Sequence, residues 1–370
     1  MKFKLRDETK SDLAIYLINT LPPPSAVYRY ALDVNSTVSN HGILINIQYD
    51  PSRWKTVPSG TVYRAKYGNH YILNSFLNKW SVEGLYKLLK KQVSMGKFVH
   101  YTHESTPPFD LIKENSIVTV FENPTIRLGT DFYHENNHHL RESANLLFRK
   151  RLYDTYKRFE HVITGTEYVK NGMIDYGFDG KIEVLPPPIS KDFFPINDKK
   201  ALRRELGLPI DKTLILSVST AAKRKNLKAV GEVAEALGQN FLLVRVGVPI
   251  GRSVNFQGVS GEILNYIYNA CDVLLFPTLE EGFGYPLVEA FSVGLPVVSS
   301  DIPVIRETAR NSALLVNPNS VEELARGVME AIEMKDELIK KGYERATSYS
   351  FDKFSKRQTA YYRSIGATEI

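Results

Sequence analysis

The stretch DVLLFPTLEEGFGYPLVEAFSVGLPVVSSDIP, residues 272–303, decides how this chain reads. An apolar strand-like run ends at Pro277-Thr278, and a loop follows that holds Glu280, Glu281, Gly282, Phe283 and Gly284. A helix is predicted to begin near Pro286, because proline at the first helical position loses nothing by lacking an N–H. Strand, glycine loop and helix N-terminus make a corner that offers backbone N–H groups and a positive dipole end to a phosphate. Gly282 and Gly284 let the main chain approach a ligand where a side chain would intrude. In open parallel sheets, ligands sit at this edge, beyond the carboxyl ends of the strands.

Two carboxylates bracket that loop, Glu281 within it and Glu289 inside the helix, with seven residues between them. A carboxylate beside a diphosphate would be repelled, so hydroxyl recognition is the natural role for each. Either one alone reads equally well as a solvated charge or a residue favoured by the helix dipole. A second piece, LSVSTAAKRKNLKAV (216–230), ends a strand at Ser217–Thr220 and places Lys223, Arg224 and Lys225 in the turn before the next helix. Asn226 is predicted to cap that helix. Such a cationic cluster suits a diphosphate, and a solvated turn is the plainer alternative.

Outward from this corner the same alternation recurs. Strand-like runs at 213–220, 240–247, 295–300 and 314–318 alternate with helical patterns at 226–237, 263–270 and 286–293. Upstream, strands are predicted at 12–21, 42–49, 97–103, 116–121 and 161–168, with helices at 27–38 and 140–161. Strands alternating with helices imply an α/β fold with mostly parallel sheets covered on both faces. KIEVLPPPISKDFFPIND (181–198) interrupts the pattern with four prolines, which suits a stiff connection between domains. The division expected is 1–190 and 191–345, with a C-terminal helix near 351–365 returning to the first domain. A chain of 370 residues is long enough for two ordinary cores.

Composition removes several classes. With 43% hydrophobic and 24% charged residues the chain is not disordered. The single cysteine, Cys271, excludes a disulfide framework or a cysteine-rich zinc site and fits a reducing compartment. The opening MKFKLRDETKSD lacks the apolar core of a secretory signal, and no apolar run reaches the ~20 residues of a membrane span. A cytoplasmic protein is expected. The net charge of +6 is concentrated upstream, where residues 1–190 hold 24 Lys and Arg against 19 Asp and Glu. That excess fits either an anionic partner or ordinary solubility, and no nucleic-acid motif accompanies it. EGLYKLLKKQVSMGKF (83–98) sets Leu85, Leu88 and Leu89 beside Lys87, Lys90 and Lys91. Such a helix can rest on an anionic membrane, or pack its leucines on its own sheet.

HENNH (134–138) formally matches a zinc-protease pattern through His134, Glu135 and His138. That motif needs two histidines one turn apart on a buried helix. Asn136 and Asn137 are poor helix formers and no third ligand follows, so no metal is expected.

EGFGYPLVEAFSVGLPVVSSD resembles the signature of the large retaining glycosyltransferase family typified by bacterial mannosyl- and glucosyltransferases, the glycosyl transferases group 1. That family's pattern, EGFGxPxxEAxxxGxPVxxS, matches at every fixed position from Glu281 onward. KRKNL (223–227) is similar to its basic turn, and VITGTEYVKNGMIDYG (162–177) with KIEVLPPPISKDFFP (181–195) to the end of its first domain. The resemblance implies a GT-B fold, two Rossmann-like parallel-sheet domains facing a central cleft. It also implies transfer of a hexose from a nucleotide diphosphate sugar, of the GDP-mannose or UDP-glucose type, with retention and without metal or other cofactor. The acceptor would be a glycan, a lipid-linked glycan or another hydroxyl compound, met in the cytoplasm or at the membrane face.

Carried over by position, the resemblance implies that Glu281 would contact the donor sugar, Glu289 the ribose hydroxyls, and Arg224 and Lys225 the diphosphate, with Thr220, Gly282, Phe283, Gly284, Tyr285 and Leu287 completing the donor site. Two departures stand out. The family's Gly-Gly loop is replaced by PPPSAVYRY (22–30), and its His-Asp pair by Phe121-Glu122. The remaining acceptor-side candidates are His100, His103 and Glu104 in FVHYTHES. Alternatives on the same frame are an epimerase, a phosphorylase or a non-catalytic nucleotide-sugar sensor.

Overall fold

A computed structural model describes residues 15–19, 26–37, 42–46, 56–57, 62–64, 98–102, 112, 115–129 and 150–367. Two sheets organise the chain. The first contains β1 (Ile15–Asn19), β2 (Gly42–Asn46), β3 (Thr56–Val57), β4 (Val62–Arg64), β5 (Phe98–Tyr101), β6 (Ser116–Val120), β7 (His161–Thr164) and β8 (Lys181–Val184). Their spatial order is β3-β4-β2-β1-β5-β6-β7-β8, parallel throughout except for the β3–β4 pair. The second contains β9 (Thr213–Val218), β10 (Phe241–Val246), β11 (Ser253–Phe256), β12 (Val273–Phe276), β13 (Val297–Ser300) and β14 (Leu314–Val316). Its order is β11-β10-β9-β12-β13-β14, all parallel.

The helices used below are α1 (Ala26–Thr37), α2 (Glu167–Asp175), α3 (Leu227–Ala236), α4 (Gly261–Ala270), α5 (Tyr285–Val293), α6 (Pro303–Ala309) and α7 (Phe351–Ser364). Central strands such as SIVTV and VLLF are buried at every position, as strands covered on both faces must be. Short β3, β4 and β8 carry no apolar run of their own, and only pairing with neighbours makes them strands. The predicted stretch 181–198 therefore divides at Val184: its first four residues close the first sheet, and the connection proper starts at Leu185.

Helix α7 packs back on the first domain. Phe354 and Tyr362 share a core with Tyr30, Ala31 and Val34 of α1 and with Ile117 and Ile163 of the sheet. Its Arg357 donates to the Val184 carbonyl. The connection is pinned by Ile189 N–H, which donates to Tyr349 O at 2.9 Å. Among the described residues, no helix is long and apolar enough to cross a membrane. The segments 83–97 and 134–138, and with them the lysine-leucine pattern and HENNH, lie outside the described residues.

Each sheet reverses its strand order once, the first between β1 and β5 and the second between β9 and β12. At such a point the connections leave on opposite sides and open a crevice beyond the carboxyl ends. Here the two crevices face each other. Residues after β1, β6 and β7 touch residues after β9 and β12 and the helices α5 and α6.

Candidate functional site

The loops after β9 and β12 are neighbours because those strands pair, Ile215 opposite Val273 and Leu216 opposite Leu274. That pairing brings the basic turn to the acidic loop. Lys223–Lys225 form one 3-10 turn, and Lys225 Nζ makes a short ion pair with Glu281 Oε1. Arg224 Nη1 stands 3.2 Å from Glu281 Oε2 and donates to the Glu280 carbonyl at 3.0 Å. Thr278 Oγ1 donates to Glu281 Oε1 at 2.9 Å. Burial works against the Glu281 carboxylate, but Lys225, Arg224 and Thr278 outweigh it and hold the carboxyl below its ordinary range. Burial likewise pulls Lys225 below the usual lysine value, against the opposing effect of Glu281.

Asn226 stands at the predicted cap of α3 but does not cap it with its side chain. It ends the 3-10 turn at φ 54°, and its amide donates instead to Pro318 O at 2.7 Å. A left-handed residue here turns the chain from the basic cluster into the helix, a role asparagine tolerates better than most residues. Beneath the turn, a fully buried Arg245 gathers carbonyls from the ends of β9 and β10. It donates to Ser217 O at 2.9 Å, to Val246 O at 2.6 Å and to Ser219 O. Burial pushes its pKa down to about 10. Arg245 thereby fixes the strand end that carries Thr220, which is exposed at the crevice. A lone arginine within an apolar strand gave no sequence signal for this.

The glycine loop is clamped by both domains. Gly284 caps α5 at φ 95°, a conformation that favours glycine. A Cβ built on Gly282 would fall 1.4 Å from the Phe121 carbonyl oxygen of the first domain, so only glycine permits that approach. Thr166 Oγ1, at the start of α2, donates to Gly282 O at 2.9 Å, and Thr308 Oγ1 of α6 donates to Phe283 O at 2.7 Å. Phe283 and Leu287 are buried in the core of the second domain, and Leu287 N–H donates to Gly284 O at 3.0 Å. These two therefore hold the loop by packing; their side chains do not line the crevice.

Glu289 lies one turn beyond Tyr285 on α5 and is 3% exposed. Both its oxygens are engaged. Tyr268 of α4 donates to Oε2 at 2.7 Å, and Arg29 of α1 donates to Oε1 at 2.6 Å across the domain boundary. The Arg29 guanidinium also lies over the Phe193 ring at 5.4 Å. Sequence reading passed over Arg29, Tyr268 and Thr278; the one available signal for Arg29 was a charge inside YRYAL at the first strand-helix corner. Glu122, at the position where a histidine-aspartate pair was expected, stands 3.7 Å from Arg224 Nη2. Glu307 of α6 accepts from the N–H groups of Glu167 at 2.7 Å and Tyr168 at 3.0 Å, capping α2 from the other domain.

On the acceptor side the expectation for His100 needs correcting. Its ring is fully buried inside the first domain, between Tyr362 OH at 2.6 Å and Thr119 Oγ1 at 2.8 Å. Burial pushes its pKa down to about 3, so it is a neutral core histidine that does not reach the crevice. Strand alternation explains this, since His100 sits mid-strand and points to the face that α7 covers. His103 and Glu104 lie outside the described residues.

Residues 198–349 match the model of the family described as glycosyl transferases group 1. The O-antigen chain mannosyltransferase RfbU of Salmonella typhimurium is 26% identical over 294 residues, covering 74% of this chain and 76% of that one. Among solved structures, sucrose-phosphate synthase from Thermosynechococcus elongatus superposes with a TM-score of 0.76 at 17% identity, over 95% of this chain and 99% of that one. Anabaena HepE in complex with UDP and glucose superposes with a TM-score of 0.70 at 12% identity, over 95% and 100% of the two chains. The crevice described above is thus the meeting place of two Rossmann-like domains in a GT-B fold, with the match to the glycosyl transferases group 1 carried by residues 198–349 of the second domain.

Proposed function

We propose that the chain is a retaining hexosyltransferase that takes its sugar from a nucleoside diphosphate. The observation that carries this reading is the gathering of Arg224 and Lys225, on the turn after β9, against Glu281 of the glycine loop after β12, at the switch point of the second sheet. A leaving diphosphate develops negative charge as the glycosidic bond breaks. Two cations poised beside the loop stabilise that charge as it forms, which is where electrostatic catalysis is most effective. In the described structure both cations lean on Glu281. A bound diphosphate would draw them away and leave that carboxylate to accept hydroxyls of the transferred sugar. Glu289 would accept the ribose hydroxyls.

With the cations on the diphosphate, the reaction needs neither a metal nor a protein nucleophile. The departing phosphate oxygen can take the acceptor's proton when donor and acceptor meet on one face of the sugar. Likeness to a mannosyltransferase of O-antigen chains favours a mannosyl donor and a free or lipid-linked glycan acceptor, met at the inner membrane face. Tyr285, Gly282 and Thr220 complete the donor site, with Phe283, Gly284 and Leu287 shaping its loop.

The experiment is a transfer and donor-hydrolysis assay with GDP-mannose and UDP-glucose, run with and without EDTA and read by NMR for anomeric configuration. Turnover that survives EDTA and yields the donor's own anomer is expected. Failure to bind or turn over either donor would overturn the reading, and the inverted anomer would overturn retention.

A further inference from the structure

The Glu289 carboxylate is held by an arginine from the opposite domain, and that arginine has a second partner within reach. Arg29 and Asp33 lie one helical turn apart on α1, so their side chains share a face. The Arg29 charge acts on the Asp33 carboxyl, which burial nonetheless pushes up to about 7; Asp192 raises it further and Lys191 opposes. Tyr285 lies on the same face of α5 as Glu289, and its hydroxyl is buried with no hydrogen-bond partner among the described residues. Around Glu289, then, stand one tyrosine that donates, one tyrosine whose hydroxyl is unpartnered, and one arginine with two possible carboxylates.

We infer that Arg29 is a two-position side chain that competes with the donor's ribose for Glu289 and moves to Asp33 when the ribose takes its place. The inference rests on the reading of Glu289 as the ribose acceptor. The competition is for space: Tyr268 fills one side of the carboxylate, and Arg29 reaches its other oxygen across the domain boundary, the side from which a vicinal diol in the crevice would have to approach. Tyr268 is fixed within the second domain's core, whereas Arg29 reaches Glu289 from the other domain on a long, flexible side chain. A released guanidinium in a half-buried crevice needs a carboxylate, and Asp33, one helical turn further along α1, offers one on the same face. Donor arrival would in this way remove one of the bonds joining the two domains, while those from Thr166 to Gly282 and from Glu307 to α2 persist. Arg29 is a gating residue here, acting on donor affinity through Glu289 and not on the reacting atoms.

The test is calorimetric titration of the full chain with UDP, GDP and ADP, for wild type, Arg29→Met, Asp33→Asn and Glu289→Gln, alone and combined. Arg29→Met should tighten binding of the preferred nucleotide about tenfold, because affinity scales with the fraction of molecules in which Glu289 is unoccupied. Asp33→Asn, which removes the second partner, should weaken it about threefold on the same argument. In the Glu289→Gln background neither substitution should change affinity. Arg29→Lys, which keeps the charge and the packing, controls for folding and should bind like wild type or slightly tighter. Equal or weaker binding by both Arg29 variants would overturn the inference, as would an Arg29→Met gain that persists in Glu289→Gln. Binding of none of the three nucleotides by any form would instead overturn the donor-site reading beneath it.

Discussion

Lys225 and Glu281 are 56 residues apart in sequence and form a buried ion pair at the point where two neighbouring parallel strands send their chains in opposite directions. Removing Glu281 leaves the buried Lys225 charge without its partner, at a cost of about 3–5 kcal/mol, whereas removing Lys225 leaves Glu281 with Arg224 at 3.2 Å and costs less. The pair is thus both a piece of the proposed chemistry and a piece of the fold.

Those two roles separate under mutation. Glu281→Gln and Lys225→Met should each lower transfer by about 100-fold or more, the usual loss when a preorganised charge is removed from a transition-state site. Each should also lower the melting temperature. Combining them should restore most of the stability and none of the activity, because the double variant contains no orphaned charge. Thermal denaturation and donor hydrolysis measured on the same three proteins decide it; activity recovered along with stability would remove the pair from the mechanism.

Gly282→Ala should separate the domains without unfolding either. The added Cβ meets the Phe121 carbonyl oxygen, a backbone atom that cannot rotate away. Small-angle scattering should show a larger radius of gyration, and protease cleavage in the connection at 185–198 should quicken. An unchanged radius would mean that the loop relaxes locally.

His100 should make the protein acid-sensitive. Its folded pKa lies near 3, below the ordinary value of 6.5, so between those values the unfolded chain binds a proton that the folded chain refuses. Stability from this group is fully present above pH 6.5 and is lost as pH falls, by up to about 1.4 kcal/mol per pH unit. Asp33 works in the opposite sense over much of that range, since its raised pKa favours the folded state as pH falls towards 4. The difference between wild type and His100→Gln isolates the histidine. Denaturant titrations at pH 7, 6 and 5 should show wild type losing stability faster than the variant, and parallel slopes would contradict the assignment.

Glu307→Gln should weaken the clamp between the domains. Its carboxylate caps the first turn of α2 from the opposite domain, and loss of such a cap costs about 1 kcal/mol. Hydrogen exchange at the Glu167 and Tyr168 amides should speed up about fivefold, while amides of β7 stay protected. Faster exchange throughout the first domain would point to a wider structural role.

Much of this molecule could be read from local signals. Apolar runs of four to six residues between helical periods marked most of the described strands, and glycine, proline and charge spacing marked the loop at 280–286. The strands at 56–57, 62–64 and 253–256 escaped because they are short and half polar, and only a neighbour's hydrogen bonds make them strands. His100 misled because a histidine near a strand end looks the same in sequence whichever face it takes. Arg245 was invisible because two of its three carbonyl partners, Ser217 and Ser219, belong to the end of the neighbouring strand, which only the sheet brings beside it.

By itself the sequence determined the alternating α/β architecture, the proline-rich division and the residue types at the glycine corner, since each follows from periodicity or from backbone chemistry within a few residues. The tertiary structure alone decided that Lys225 meets Glu281, that Phe121 presses on Gly282, and that Glu289 is answered by Arg29 from the other domain. The reason is physical: these partners lie tens to hundreds of residues apart, and which of them meet is set by strand order and domain apposition, neither of which leaves a periodic trace in the chain.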